Sequence, residues 1–308
     1  METPVHHLLN PIVAEKSPIP SRNGKLPAIV PWLRLYFGVV GRLLPKFAAG
    51  QALRLFGTPR GRYQGKGTKS IRTKSKPFTV KSDGLKIQAY LWENDGPTVL
   101  LVHGWETGGM HMSSFVEPLC ALGFQVVAID GPAHGNSQGE QTNLPHFAAA
   151  IFSVIQNLGS VNHIIAHSFG GAASVYLASQ YSQQVPLDKM VLINVPNRLE
   201  RIIGDFARFL RLPAKVELAM QEGIMKKFEV DPKEIQISKM GKYMEVNEIL
   251  VVHDRFDDIV PLYNGLEIVH GLEQACLLEC ENLGHNRILK NPQVITRIGQ
   301  FLKDDLKY

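Results

Sequence analysis

From residue 77 onward, apolar and polar positions alternate between two rhythms. FTVKSDGLKIQAYLW switches polar and apolar residues on either side of Ser82-Asp83-Gly84, which predicts two strands and a tight hairpin. Short apolar runs follow: TVLLVHG (98–104), FQVVAID (124–130), HIIAHS (163–168), KMVLINV (189–195), EILVVHD (248–254) and ACLLEC (275–280). The first five are almost continuously apolar, as strands covered on both faces must be. Between them, SSFVEPLCALG and FAAAIFSVIQNLG space their apolar residues as helices do. Strand–helix alternation predicts an α/β fold: a mostly parallel sheet with an antiparallel leading hairpin and helices on both faces. One interval, about 50 residues between Val195 and Glu248, is too long for a single crossover. RLERIIGDFARFLRL and AKVELAMQEGIMKKF within it read as amphipathic helices. A small helical cap over the carboxyl edge of the sheet, at about 197–247, is expected there.

Upstream the pattern is different. Residues 1–27 read as an extended arm with prolines at 4, 11, 18, 20 and 27; residues 32–56 mix apolar and basic residues in helical segments; residues 59–76 read as a basic, glycine-containing linker or loop. The expected division is an N-terminal arm, helix and linker over 1–76, then an α/β domain over 77–308. No internal repeat is evident.

Charge sharpens that division. Residues 1–77 carry 14 Lys/Arg and 2 Asp/Glu, whereas the whole 308-residue chain has 33 and 28, a net charge of +5. The basic character therefore belongs to the N-terminal quarter alone. Two readings follow: an arm and helix packed against an acidic α/β domain, or a peripheral foothold on anionic lipid, since Trp32, Leu33, Tyr36 and Phe37 lie among the basic residues. No segment resembles a nucleic-acid-reading helix or an aromatic stacking sheet, so no nucleic-acid partner is expected. Arg34, Arg42, Lys46, Pro31 and Pro45 interrupt the apolar stretch 28–50, which does not read as a membrane span. With no secretory pattern either, a cytoplasmic location is expected, with peripheral membrane association as the alternative.

Cys120, Cys276 and Cys280 form no disulfide framework. In a strand, Cys276 and Cys280 would be roughly 13 Å apart, too far to bridge. His6-His7 is too short for a metal tract. There is no HExxH, CxxC pair or GxGxxG loop, so neither metal nor cofactor is expected.

Sites in open parallel sheets form at the carboxyl ends of strands. Those ends carry His103-Gly104-Trp105, then DGPAHGNS (130–137), then Ser168, then RFDDIVP with Asp257 and Asp258, then LGHNRIL with His285. A serine hydroxyl is a weak nucleophile until an imidazole takes its proton, and a carboxylate on the far ring nitrogen fixes the tautomer. Either aspartate has the right chemistry for that last role.

These segments, over roughly 77–305, resemble the α/β-hydrolase superfamily, in its serine esterase and lipase-like branch. Ala166-His167-Ser168-Phe169-Gly170 resembles its Gly-x-Ser-x-Gly nucleophile motif, with alanine in place of the first glycine. HDRFDDIVP resembles the acid loop and assigns Asp257, with Asp254 where a glycine is usual. LGHNRIL resembles the histidine loop and assigns His285. LLVHGW resembles the oxyanion-loop strand, and DGPAHGNSQG another turn of the family. The resemblance implies Ser168 as nucleophile, His285 as base and acid, and Asp257 as orienting acid. It implies oxyanion donors at the backbone N–H of Phe169 and Trp105, beside Gly104. A serine at the elbow argues against the branches that use a carboxylate nucleophile.

The implied activity is hydrolysis of a small-molecule ester or thioester, of apolar character, through an acyl-enzyme. An acyltransferase with the same residues and a non-catalytic module of the same fold are the alternatives. His103, His134 and Ser137 read as organisers of their loops, and His167 is given no proton-transfer role. The sequence does not specify substrate identity or oligomeric state.

Overall fold

A computed structural model describes residues 8–14, 27–63, 65, 67–228 and 231–304. The His6-His7 pair and most of the expected arm lie outside these residues. The strands are β1 (Leu8–Val13), β2 (Lys76–Ser82), β3 (Leu85–Trp92), β4 (Thr98–Val102), β5 (Gln125–Ile129), β6 (His163–His167), β7 (Leu187–Ile193), β8 (Val246–Asp254) and β9 (Ala275–Glu281). The helices are α1 (Ile29–Leu43), α2 (Pro45–Phe56), α3 (Lys69–Thr73), α4 (Val116–Ala121), α5 (Leu144–Leu158), α6 (Phe169–Gln180), α7 (Leu199–Leu210), α8 (Ala214–Phe228), α9 (Ile237–Met240), α10 (Tyr263–Gly271), α11 (Gly284–Arg287) and α12 (Pro292–Leu302).

Among the described residues, nine strands join one sheet in the order β1-β9-β8-β7-β6-β4-β5-β3-β2. The β2–β3 hairpin is antiparallel and turns at Asp83-Gly84, where both residues have positive φ. β3 also runs antiparallel to β5, and every other pairing is parallel. β4 and β6 are buried at every position, which is why the sequence there is unbroken Val, Leu, Ile and Ala. One face of β4 presents Val99 and Leu101 to a core that includes Leu119 of α4 and Ile298 of α12. Its other face presents Val102, against which Gly170 of α6 lies. Alternation along the strand thus places helices on both faces.

The chain divides into two compact units. One holds the sheet with α3–α6 and α9–α12. The other joins the described parts of Pro18–Thr58 and Arg198–Gln236, and so contains α1, α2, α7 and α8. These four helices share a core of Phe37, Ala48, Ala49, Ala52, Ile203, Leu210, Val216, Met220 and Ile224. The alanines of α2 give α8 a close approach. Arg34 of α1 donates two hydrogen bonds, of 3.0 and 2.8 Å, to the Phe209 carbonyl at the end of α7, where a cation suits the helix dipole.

This division corrects three expectations. Residue 76 is not a boundary of the fold, because α1 and α2 share a core with the insertion while β1 pairs with β9. The insertion's helical unit takes residues 198–236; α9 and the start of β8 belong with the sheet. Finally, residues 59–76 form an anchored loop rather than a linker. It contains α3, and the Arg62 guanidinium donates to the carbonyls of Gly135, Ser137 and Gly139.

Candidate active site

The strand order reverses around β4: β5 lies on one side of it and β6 on the other. Loops leaving such a switch point diverge and open a crevice at the carboxyl ends. The register pairs Val102 with Ala166, so the residues just beyond, Gly104 and Ser168, become neighbours. A Cβ added at Gly104 would stand 3.1 Å from Ser168 Cβ, so only glycine fits comfortably there.

Ser168 has φ 51° and ψ −123°, an elbow between β6 and α6. Its N–H donates to the Ile193 carbonyl at 2.9 Å, which holds the strained residue against β7. A Cβ on Gly170 would fall 2.2 Å from the His103 carbonyl oxygen, and one on Gly171 2.2 Å from a Val195 methyl. Ala166 lies within regular strand, paired with Val102 and Leu192, and is absent from the positive-φ residues. Alanine is therefore unstrained where the family motif has glycine.

Residues far apart in sequence meet at this elbow. His285 Nε2 lies 3.0 Å from Ser168 Oγ, and His285 Nδ1 lies 2.6 Å from Asp257 Oδ2. Asp257 Oδ1 accepts the N–H groups of Ile259 and Val260 at 2.8 and 2.9 Å. The Asp257 side chain is fully buried and the His285 side chain 8 % exposed, whereas Asp258 is exposed. Burial thus separates the two aspartates that the sequence leaves chemically equivalent. A hydroxyl, an imidazole and a buried carboxylate in series can move a proton off Ser168 and stabilise the resulting charge.

A second set of buried polar groups holds these loops. The Asp254 carboxylate accepts from Phe256 N–H at 2.9 Å and from Leu283 N–H at 2.8 Å, tying the acid loop to the histidine loop. Asn194, at φ 49°, accepts from Asp254 N–H at 2.9 Å and donates to the His285 carbonyl at 3.3 Å. His167 Nε2 donates to the same carbonyl at 2.9 Å. Burial holds the His167 pKa well below the usual histidine range, aided by the neighbouring His285 and His111. A neutral His167 with its proton on Nε2 leaves Nδ1 bare against Gly104. Sequence reasoning missed Asn194 and the loop-tying role of Asp254; the departure from glycine at 254 was the available signal.

The loop after β4 is equally fixed. His103 Nε2 accepts from Gly131 N–H at 2.9 Å, so Nδ1 carries the proton and donates to the Gly104 carbonyl at 2.7 Å. Thr107 Oγ1 donates to that carbonyl at 2.8 Å. Full burial pushes the His103 pKa far down, which keeps this tautomer neutral. The Gly104–Trp105 peptide is trans and planar, so anchoring its carbonyl aims the Trp105 N–H the opposite way. At the start of α6, the Phe169 N–H has no intrahelical acceptor and sits at the positive end of the helix dipole. The half-buried Trp105 and Phe169 rings meet edge to face at 5.3 Å. Glu106, next in the loop, accepts a two-pronged contact from Arg60, at 2.7 and 2.9 Å.

The residues expected to act therefore lie within one site. Gly104, Trp105, Ser168, Phe169, Asp257 and His285 all lie at carboxyl ends of β4, β6, β8 and β9. His134 and Ser137 hydrogen-bond inside their own turn, to the Pro132 and Asp130 carbonyls. Among the described residues, no cluster of three or more His, Cys, Asp or Glu is placed to hold a metal ion.

Known proteins resemble this chain at low identity. Mouse monoglyceride lipase is 26% identical over 133 residues, 38% of this chain and 44% of that protein; the chain thus spans less than half of that relative. The 2-hydroxy-6-oxo-6-phenylhexa-2,4-dienoate hydrolase of Comamonas testosteroni is 26% identical over 237 residues, 62% of this chain and 82% of that enzyme. Among solved structures, Pyrococcus furiosus esterase Pf2001 superposes with a TM-score of 0.62 at 19% identity, covering 80% of this chain and 98% of the esterase. The sequence pattern of the Alpha/beta hydrolase family matches residues 99–262, more than half of the chain and the span from β4 past the acid loop. On that match and this fold, the chain belongs to the α/β-hydrolase family.

Proposed function

We propose that the chain is a serine hydrolase that cleaves a carboxylic ester or thioester through an acyl-enzyme. The observation that carries this reading is the continuous hydrogen-bond series Ser168–His285–Asp257, at 3.0 and 2.6 Å, made by loops from three different strands. Ser168 Oγ attacks the acyl carbon while His285 Nε2 takes its proton. The C–O or C–S bond breaks, and His285 returns the proton to the leaving alcohol or thiol. A water molecule, deprotonated by His285, then releases the acid and restores Ser168. Asp257 keeps the Nδ1 proton in place and offsets the imidazolium charge. The N–H groups of Phe169 and Trp105 receive the oxyanion, each worth about 10²–10³ in turnover.

The lipase and esterase names of the relatives support an ester substrate. The half-exposed Trp105 and Phe169 rings beside the nucleophile suit an apolar acyl or alcohol group. A chain-length series of aryl esters and acyl thioesters, combined with fluorophosphonate labelling, tests the assignment. Ser168→Ala is expected to abolish labelling and reduce kcat by about 10⁵–10⁶ with the fold intact. Labelling of Ser168→Ala equal to the parent would remove Ser168 as nucleophile.

A further inference from the structure

Helix α1 is apolar on two sides. Phe37 and Val30 are buried, with Leu33 and Val40 partly so, within the four-helix unit. The opposite side is apolar as well and faces solvent: Ile29 58%, Trp32 69%, Leu35 60%, Tyr36 38%, Val39 53% and Leu43 74% exposed. At 3.6 residues per turn these six occupy one continuous arc of about 120°. Leu44 and Phe47, which follow directly in the chain, are also exposed, at 59% and 56%. Single exposed apolar residues are ordinary, but a continuous arc of six marks a surface made to be covered.

The surrounding charge indicates what covers it. Arg42 and Lys46 are exposed beside the strip, and no Asp or Glu occurs anywhere from residue 16 to 82. A partner with a basic or mixed surface gains nothing from such a rim, whereas a negatively charged apolar interface does. Trp32 and Tyr36 also suit the boundary between headgroups and acyl chains. Among the described residues no helix is long and apolar enough to cross a membrane, so contact of this kind is in-plane.

We propose that the outward face of α1, with the start of α2, docks on an anionic lipid surface. The apolar strip enters the headgroup–acyl boundary while Arg42 and Lys46 pair with lipid phosphates. This assignment does not depend on the hydrolase chemistry, and a Ser168→Ala protein serves equally well in its test.

Co-sedimentation of the full chain with vesicles of phosphatidylcholine alone, or mixed with phosphatidylglycerol, reads the interaction directly. Binding to the mixed vesicles is expected, weakening as salt rises above about 0.1 M. Each cation at an anionic surface is worth about fivefold, so Arg42→Gln with Lys46→Gln should weaken binding roughly 20–30-fold. Trp32→Ser with Leu43→Ser should weaken it at least about tenfold. Both pairs should keep the parent's thermal midpoint and its hydrolysis of a soluble aryl ester. No sedimentation with either vesicle overturns the proposal, as does equal, salt-independent binding to neutral vesicles. A concentration-dependent dimer that the Trp32→Ser/Leu43→Ser pair dissociates, without vesicle binding, assigns the strip to a second copy of the chain and also overturns it.

Discussion

At the residue scale, the position of His285 is set from behind. Two buried donors, His167 Nε2 and Asn194 Nδ2, converge on its carbonyl, and Asp254 ties the adjoining Leu283 N–H to the acid loop. His167 is thus a positioning residue that never touches substrate. His167→Phe keeps the ring volume and removes one donor. It should lower kcat about 10–100-fold with KM nearly unchanged, since a small displacement of a base degrades transition-state geometry more than binding. It should also cost about 0.5–1.5 kcal/mol of stability, the net worth of one hydrogen bond, because Asn194 Nδ2 still bonds the carbonyl. Steady-state kinetics on an aryl ester with urea denaturation check both; an unchanged kcat would free His167 of the role. Ser168, Asp257 and His285 were legible because each sits in a local motif at a strand end. Asn194 was not, because its role exists only where β7 lies between β6 and β8, a fact no local window contains.

At the element scale, the strands of the sheet's centre were readable because burial on both faces leaves no polar alternation to confuse them. β1 was not: Leu8–Val13 contains Pro11, which argues against a strand unless the strand lies at an edge. There it lies, parallel to β9, with the register irregular between Leu9 and Ile12. The insertion was legible as helices, yet their partners α1 and α2 come from about 150 residues earlier, joined by a core that periodicity alone does not reveal. The glycines after Ser168 answer to packing. Gly170→Ala would drive a Cβ into the His103 main-chain oxygen, whereas Gly171→Ala meets side-chain rather than main-chain atoms, those of Val195. Gly170→Ala is therefore expected to cost more than about 3 kcal/mol and to remove activity through the oxyanion loop, and Gly171→Ala about 1–2 kcal/mol. Equal stabilities for the two variants in urea denaturation would contradict the close approach of α6 to the loop after β4.

At the scale of the whole molecule, the neutral histidines couple the site to pH. His103, His134, His167 and His253 are all buried with pKa values below the usual 6.5, chiefly from desolvation. Above about pH 6.5 both folded and unfolded chains leave them uncharged, and their contribution to stability is complete. As pH falls from there toward the folded values, the unfolded chain takes up protons that the folded chain refuses, and stability drops. Each fully depressed histidine contributes a slope of up to about 1.4 kcal/mol per pH unit. Asp130 acts in the opposite sense, because burial raises its pKa above 3.8 and its protonation favours the fold as pH falls. His111, His146 and His163 are lowered in the same way, so one carboxyl opposes seven histidines and stability falls on balance as pH drops below about 6.5. Urea denaturation across that range measures the slope directly. A flat or reversed slope would mean that charged imidazoles are accommodated in the fold. The tautomers argued for His103 and His167, and with them the fixed aim of the Trp105 N–H and the anchored carbonyl of His285, would then fail together.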